Sequence, residues 1–139
     1  ISITHSGMEG LPPVICNEIQ IQQVILNLVR NAREAIAAAE QSTGEIVINA
    51  SAATRPGFVE VSVADNGPGV PPDLRPQLFL PLQSTKPEGL GLGLSLCSSI
   101  IRSHGGEFWL DENPRHGARF VFTLPCDTER DATWTRPAS

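Results

Sequence analysis

The sequence predicts a two-layer α/β sandwich, a mixed and mostly antiparallel sheet of about five strands packed on about three helices. Short segments of alternating polarity stand on both sides of helical ones. A Pro-Gly turn joins two of those segments as a hairpin. The longest periodic stretch keeps its apolar residues on a single stripe, so it has one face to bury against a sheet.

Taken in order, Ser2 to Thr4 alternates and reads as an edge strand, and Val14-Ile15-Cys16 after Pro12-Pro13 as another short one. Asn17 can cap the helix that follows, since its side-chain oxygen can accept from first-turn amides. From Glu18 to about Glu40, Ile21, Val24, Ile25, Leu28, Ala32, Ala35 and Ile36 recur at helical spacing. Gln41-Ser42-Thr43-Gly44 ends that run. Glu45 to Ala53 and Phe58 to Ala64 alternate around Arg55-Pro56-Gly57, the predicted hairpin. Asp73 to Phe79 suits a short helix, and Leu80 to Gly93 lacks periodicity and reads as a mobile loop. Leu94 to His104 is a second core helix, closed by Gly105-Gly106. Glu107 to Leu110 and Ala118 to Leu124 form a last strand pair about Asn113-Pro114. The expected division is a domain over 1–125 and a disordered polar tail over 126–139.

Composition limits the function. The chain has 139 residues, 40% hydrophobic and 18% charged, which suits one globular domain. A net charge of −5 opposes binding to nucleic acid or an anionic membrane through bulk charge. Lys86 is the single lysine, so any polyanion must be met by local donors and a metal. Cys16, Cys97 and Cys126 are odd in number and widely spaced, which suits a reducing cytoplasm better than a disulfide framework. No apolar run approaches the ~18 residues that span a bilayer.

Four segments carry chemistry. Asn27 and Asn31 stand i, i+4 on one side of the long helix, where a side-chain carbonyl can give Mg²⁺ one oxygen; they would equally serve to satisfy nearby backbone. Asp65-Asn66-Gly67-Pro68-Gly69-Val70 follows a strand. Its glycines admit a flat ligand, its carboxylate can accept from an exocyclic amine, and the same residues would also make an Asx-capped turn. Leu78-Phe79-Leu80-Pro81-Leu82-Gln83-Ser84-Thr85-Lys86 can seat a loop base while offering hydroxyls and an ammonium to phosphate. Gly89-Leu90-Gly91-Leu92-Gly93-Leu94-Ser95 leads glycines into a helix start, whose free amides and dipole suit phosphate; no Gly-Lys-Ser/Thr closes it, so it is not a Walker loop.

In this order the four segments resemble the N box, first glycine box, F box and second glycine box of the histidine-kinase catalytic domain. That domain belongs to the ATP-binding superfamily shared with gyrase, Hsp90 and MutL. The resemblance runs from about Pro12 to Pro125 and includes His104-Gly105-Gly106 and Gly117-Ala118-Arg119-Phe120-Val121-Phe122-Thr123-Leu124-Pro125. Ser84-Thr85-Lys86-Pro87-Glu88-Gly89 is similar to the nitrogen- and oxygen-regulation type of sensor kinase. Two positions depart from the family pattern: Leu82 replaces a usual phenylalanine, and Asn17 a usual aspartate.

The resemblance implies a Bergerat-type fold with a mobile lid over Leu80 to Gly93. It implies that Asp65 accepts from the adenine amine, with Gly67 and Gly69 lining the base and with Val70 and Thr123 also among the nucleotide-binding residues. It implies that Asn31 coordinates Mg²⁺ with Asn27 nearby, and that Thr85, Lys86, Gly89, Gly91, Leu92 and Gly93 hold the phosphates of ATP. Asn31 and Lys86 are then the catalytic pair. ATP-hydrolysing relatives carry a glutamate where Asn27 stands, and an amide takes no proton at neutral pH, so transfer to a histidine is implied in place of hydrolysis. His5, His104 and His116 lack the phosphoacceptor pattern. The acceptor is therefore expected on a dimerisation and histidine-phosphotransfer domain preceding Ile1, with a response regulator downstream, and this domain alone as a cytoplasmic monomer without membrane contact. The other readings are a gyrase- or Hsp90-type conformational ATPase and a nucleotide-binding pseudokinase module.

Overall fold

The computed structural model describes residues 1–7, 10–40, 43–77, 90–111 and 117–126. Its elements are β1 (Ser2–Ser6), α1 (Glu18–Ala38), β2 (Glu45–Ala52), β3 (Phe58–Asp65), a 3-10 helix (Pro72–Gln77), α2 (Leu90–Ser103), β4 (Phe108–Leu110) and β5 (Arg119–Pro125). The sheet order is β1-β2-β3-β5-β4, with β1 parallel to β2 and the remaining pairs antiparallel. This is the mixed, mostly antiparallel five-stranded sheet expected, with α1 and α2 layered on it. Among the described residues no helix is long and apolar enough to cross a membrane.

The helical stripe and the strand alternation meet in one core. Val24, Leu28, Ala32 and Ile36 of α1 and Leu94, Cys97, Ile100 and Ile101 of α2 pack with Ile46, Val63, Phe120, Phe122 and Leu124. Burying an aliphatic or aromatic side chain of this kind stabilises by roughly 1.5–3 kcal/mol, so this layer contact dominates the fold. Because side chains alternate along a strand, Val121 and Thr123 of β5 face the other side of the sheet from Phe120, Phe122 and Leu124.

Local chemistry sets the ends. Asn17 caps α1, its Oδ1 accepting from Gln20 N–H at 3.0 Å. The end of α2 is a Schellman motif: Gly106 N–H donates to Ile101 O at 3.0 Å and Gly105 N–H to Arg102 O at 2.9 Å. Gly105 has φ +83°, and a Cβ on Gly106 would overlap the Thr123 carbonyl oxygen, so both glycines are required where the chain turns onto the sheet. Asn66 ties the exit of β3 to the start of β2, its Oδ1 accepting from Glu45 N–H at 2.9 Å.

The structure differs from expectation at three places. α2 starts at Leu90 rather than Leu94, so Gly91, Leu92 and Gly93 form its first turn and not a loop. Glycine costs a helix about 1 kcal/mol per residue, which reads as a break, but packing of the later turns offsets it. Val14-Ile15-Cys16 makes only an isolated antiparallel bridge, Val14 to Cys126, with Ile15 N–H donating to Pro125 O at 3.1 Å. Cys126 thus pairs with the chain ahead of α1. The expected F-box segment, with Thr85, Lys86 and Gly89, lies outside the described residues, as do the Asn113-Pro114 turn and residues 127–139.

Candidate functional site

Asp65 is the last residue of β3 and shares the helix-facing side of the strand with Val63. Its Oδ1 accepts from Gly67 N–H at 2.8 Å, which is the Asx turn, and from Ala118 N–H at 3.3 Å. Its own N–H donates to Ala118 O at 2.9 Å. One carboxylate oxygen is therefore held by main-chain donors from two segments, while Oδ2 takes no hydrogen bond among the described residues. Burial raises the Asp65 pKa above the usual carboxylate value, against the opposing pull of the Gly67 and Ala118 amides.

Two glycines, Gly67 and Gly117, adjoin that carboxylate, and a third, Gly69, packs behind Gly117. A Cβ on Gly117, whose φ is +80°, would overlap the Asp65 carbonyl oxygen. Gly69, at φ +83°, packs against Gly117, an added Cβ standing 3.1 Å from its oxygen. Gly67 lies against α1, where a Cβ would meet Asp65 Oδ1 at 3.1 Å and Ile36 Cγ1 at 3.5 Å. Bare backbone thus packs closely about the end of β3, in space that a side chain at these positions would have to displace. Val70 is half-buried and packs against that core.

The second cluster is on the helices. Asn27 is half-buried and its Nδ2 donates to Cys97 Sγ at 3.7 Å; Cys97 Sγ in turn lies 3.9 Å from Val24 O. Burial pushes the Cys97 thiol up to about 11, so it stays a neutral thiol at ordinary pH. One turn further along α1, Asn31 holds a buried Nδ2 with no hydrogen-bond partner among the described residues. A buried amide left unpaired costs about 1–3 kcal/mol, which makes Asn31 a candidate to meet a ligand. A half-turn about the last torsion presents the amide oxygen in its place, the hard donor that Mg²⁺ takes. Among the described residues no three of His, Cys, Asp and Glu gather into a metal cage. Within them, a cation fitting this site would take one amide oxygen and complete its shell with water and phosphate oxygens.

Gly91, Leu92 and Gly93 contribute backbone amides at the start of α2, where the first four N–H groups have no helical partner. A Cβ on Gly93 would meet nothing within 4 Å, so open space adjoins the turn. Thr123 is not brought to Asp65. It pairs with Glu60 on the other face of the sheet, and its hydroxyl accepts from Glu107 N–H at 3.0 Å. Gly117 and Ala118 were not singled out as site residues by sequence. The signal available was a glycine immediately before an alternating strand.

The profile of the family described as histidine kinase-, DNA gyrase B- and HSP90-like ATPase matches residues 16–128. The sensor protein FixL of Bradyrhizobium diazoefficiens is 42% identical over 129 residues, covering 93% of the chain and 25% of FixL. The sensory histidine kinase/phosphatase NtrB of Rhizobium meliloti is 45% identical over 120 residues, covering 76% of the chain and 30% of NtrB. The chain thus spans about a quarter to a third of these relatives' length. The catalytic domain of histidine kinase ThkA superposes with a TM-score of 0.75 at 35% identity, covering 89% of the chain and 78% of that domain. ThkA in complex with the response regulator TrrA gives 0.69 at 32% identity, covering 92% of the chain and 35% of that protein.

Proposed function

The chain belongs to the histidine kinase-, DNA gyrase B- and HSP90-like ATPase family as a histidine-kinase ATP-binding catalytic domain, and from that premise we propose how its residues hold Mg-ATP for transfer to a histidine. The observation that carries the reading is the Asp65 carboxylate, one oxygen fixed by the Gly67 and Ala118 amides and the other without a hydrogen bond among the described residues. The free oxygen accepts from the 6-amino group of adenine, and Gly67, Gly69 and Val70 line the ring. Asn31 gives its amide oxygen to Mg²⁺, which when bound neutralises charge on the phosphates. The amides of Gly91, Leu92 and Gly93 hold the β- and γ-phosphates at the start of α2. Lys86, Thr85 and Gly89 complete the phosphate contacts.

Phosphoryl transfer asks a protein for positioning and charge neutralisation more than for covalent help. Asn27 supports transfer over hydrolysis, because its amide, engaged with Cys97 Sγ, has no basic lone pair to take a proton from water. The nucleophile is then an imidazole on a dimerisation and histidine-phosphotransfer domain of the same protein, which passes the phosphoryl group to a response regulator. We place the domain in the cytoplasm, as a monomer apart from that domain.

Calorimetric titration with Mg-ATP tests the nucleotide site. In Asp65→Asn the two backbone amides keep the side-chain oxygen, so the new NH₂ faces the adenine amine, donor against donor. Affinity is expected to fall by roughly 10- to 100-fold, with preference for ATP over a 6-oxo purine nucleotide reduced. Equal binding by parent and variant would remove Asp65 from the site.

A further inference from the structure

The two α-helices run antiparallel and are stitched at two heights. At one end the His104 ring spans them: Asn17 N–H donates to Nε2 at 3.0 Å, and Nδ1 lies 2.7 Å from Ile100 O. A ring nitrogen that accepts from an amide carries no proton, and one this close to a carbonyl carries it. The contacts therefore select the neutral tautomer protonated at Nδ1. Ser103 Oγ also donates to Ile100 O at 2.7 Å, so that carbonyl at the end of α2 is well satisfied. The Asn17 N–H belongs to the N-cap residue, whose side chain is already committed to Gln20. His104 is the partner of that main-chain donor.

Seven residues back along α2, Cys97 Sγ faces Val24 O and receives the Asn27 amide. The pairing of 104 with 17 and of 97 with 24 defines the antiparallel register. Seven residues of helix rise about 10 Å, and one more such step places Leu90, the first residue of α2, at the height of Asn31. The helix pair is thus clasped at the end remote from the nucleotide site and stitched midway. At its third height stand the glycine turn and the amide assigned to Mg²⁺.

We propose that His104 is a positioning residue for the nucleotide site. By bonding the start of α1 to the end of α2, it fixes the axial register in which the amides of Gly91 and Gly93 stand level with Asn31. A slip of one helix along the other would move the phosphate donors away from the metal ligand, without touching either. The inference rests on the nucleotide reading above. A purely local role, capping α2 through the Nδ1 bond to Ile100, needs no contact with Asn17.

Two conservative variants separate these roles, because asparagine reaches the place of Nδ1 and glutamine that of Nε2. His104→Asn keeps the cap on α2 and loses Asn17; His104→Gln keeps an acceptor for Asn17 N–H. In the 139-residue chain, His104→Gln is expected to bind Mg-ATP within about twofold of the parent, and His104→Asn roughly five- to tenfold more weakly. Hydrogen exchange of the Asn17 amide, read without nucleotide, is expected to stay slow in parent and His104→Gln and to become fast in His104→Asn. Parent-like affinity in His104→Asn, equal weakening in both variants, or an Asn17 amide indifferent to the substitution would overturn the proposal. Failure of the parent itself to bind Mg-ATP would instead strike the nucleotide reading, and the exchange experiment would still decide the clasp.

Discussion

Asp65 divides its carboxylate between scaffold and ligand, and the division has a pH signature. Burial raises its pKa, so between the ordinary aspartate value and the raised one the folded chain holds a proton that the unfolded chain does not. By linkage this group's contribution to stability falls as pH rises through that window, since the charged form is the one desolvated. Adenine binding runs the opposite way, because the amine needs the charged acceptor. Affinity is expected to drop as pH falls towards the raised Asp65 value, and the drop should be absent from the Asp65→Asn variant; titrations of both across acidic pH check this. Gly117→Ala would force a Cβ into the Asp65 carbonyl oxygen at a positive φ. It should destabilise the fold by about 1–3 kcal/mol and weaken ATP binding together, measured by denaturant unfolding and calorimetry. At this scale the sequence was legible where a residue's neighbours are local, as with Asp65 and Gly67. Gly117 meets Asp65 only through the pairing of β3 with β5, which spacing does not reveal. The facing of Thr123 was legible in the strand itself, since Phe120, Phe122 and Leu124 alternate with it and claim the core face.

Between elements, α1 serves as wall and ligand bearer at once. Its stripe of Val24, Leu28, Ala32 and Ile36 is buried, and Asn27 and Asn31 flank that stripe on one side. Leu28 is 1% exposed, so Leu28→Ala should lower unfolding free energy by about 2–5 kcal/mol, with nucleotide affinity following stability. Asn31→Ala should do the reverse, since it removes an amide whose Nδ2 has no partner among the described residues. The fold is expected to keep its stability while Mg²⁺ no longer strengthens ATP binding, and titrations with and without Mg²⁺ read that out. Retained Mg²⁺ dependence would detach the metal from Asn31. The helix and its cap were legible because periodicity and Asn17 agree. The start of α2 was not, because glycines that mark loops by propensity occupy its first turn under tertiary packing. That shift makes the amides of Gly91 and Gly93 part of a helix N-terminus rather than of a free loop.

The described residues form a sheet with one face covered by two helices, and the candidate chemistry lies where strand ends and the helix pair meet. The sandwich was legible because the hairpin, the long stripe and the closing strands each obey one period. The parallel pairing of β1 with β2 was not, because a short alternating strand carries no direction. As a domain that spans about a quarter of FixL, the chain is expected to hold Mg-ATP and to leave the acceptor imidazole to another domain. The most direct measurement is transfer in trans, with the chain, γ-labelled ATP and the matching dimerisation domain mixed together. Transfer to that domain is expected, the label acid-labile and base-stable, with little phosphate released from the chain alone. Steady phosphate release by the chain with no label on the added domain would contradict it.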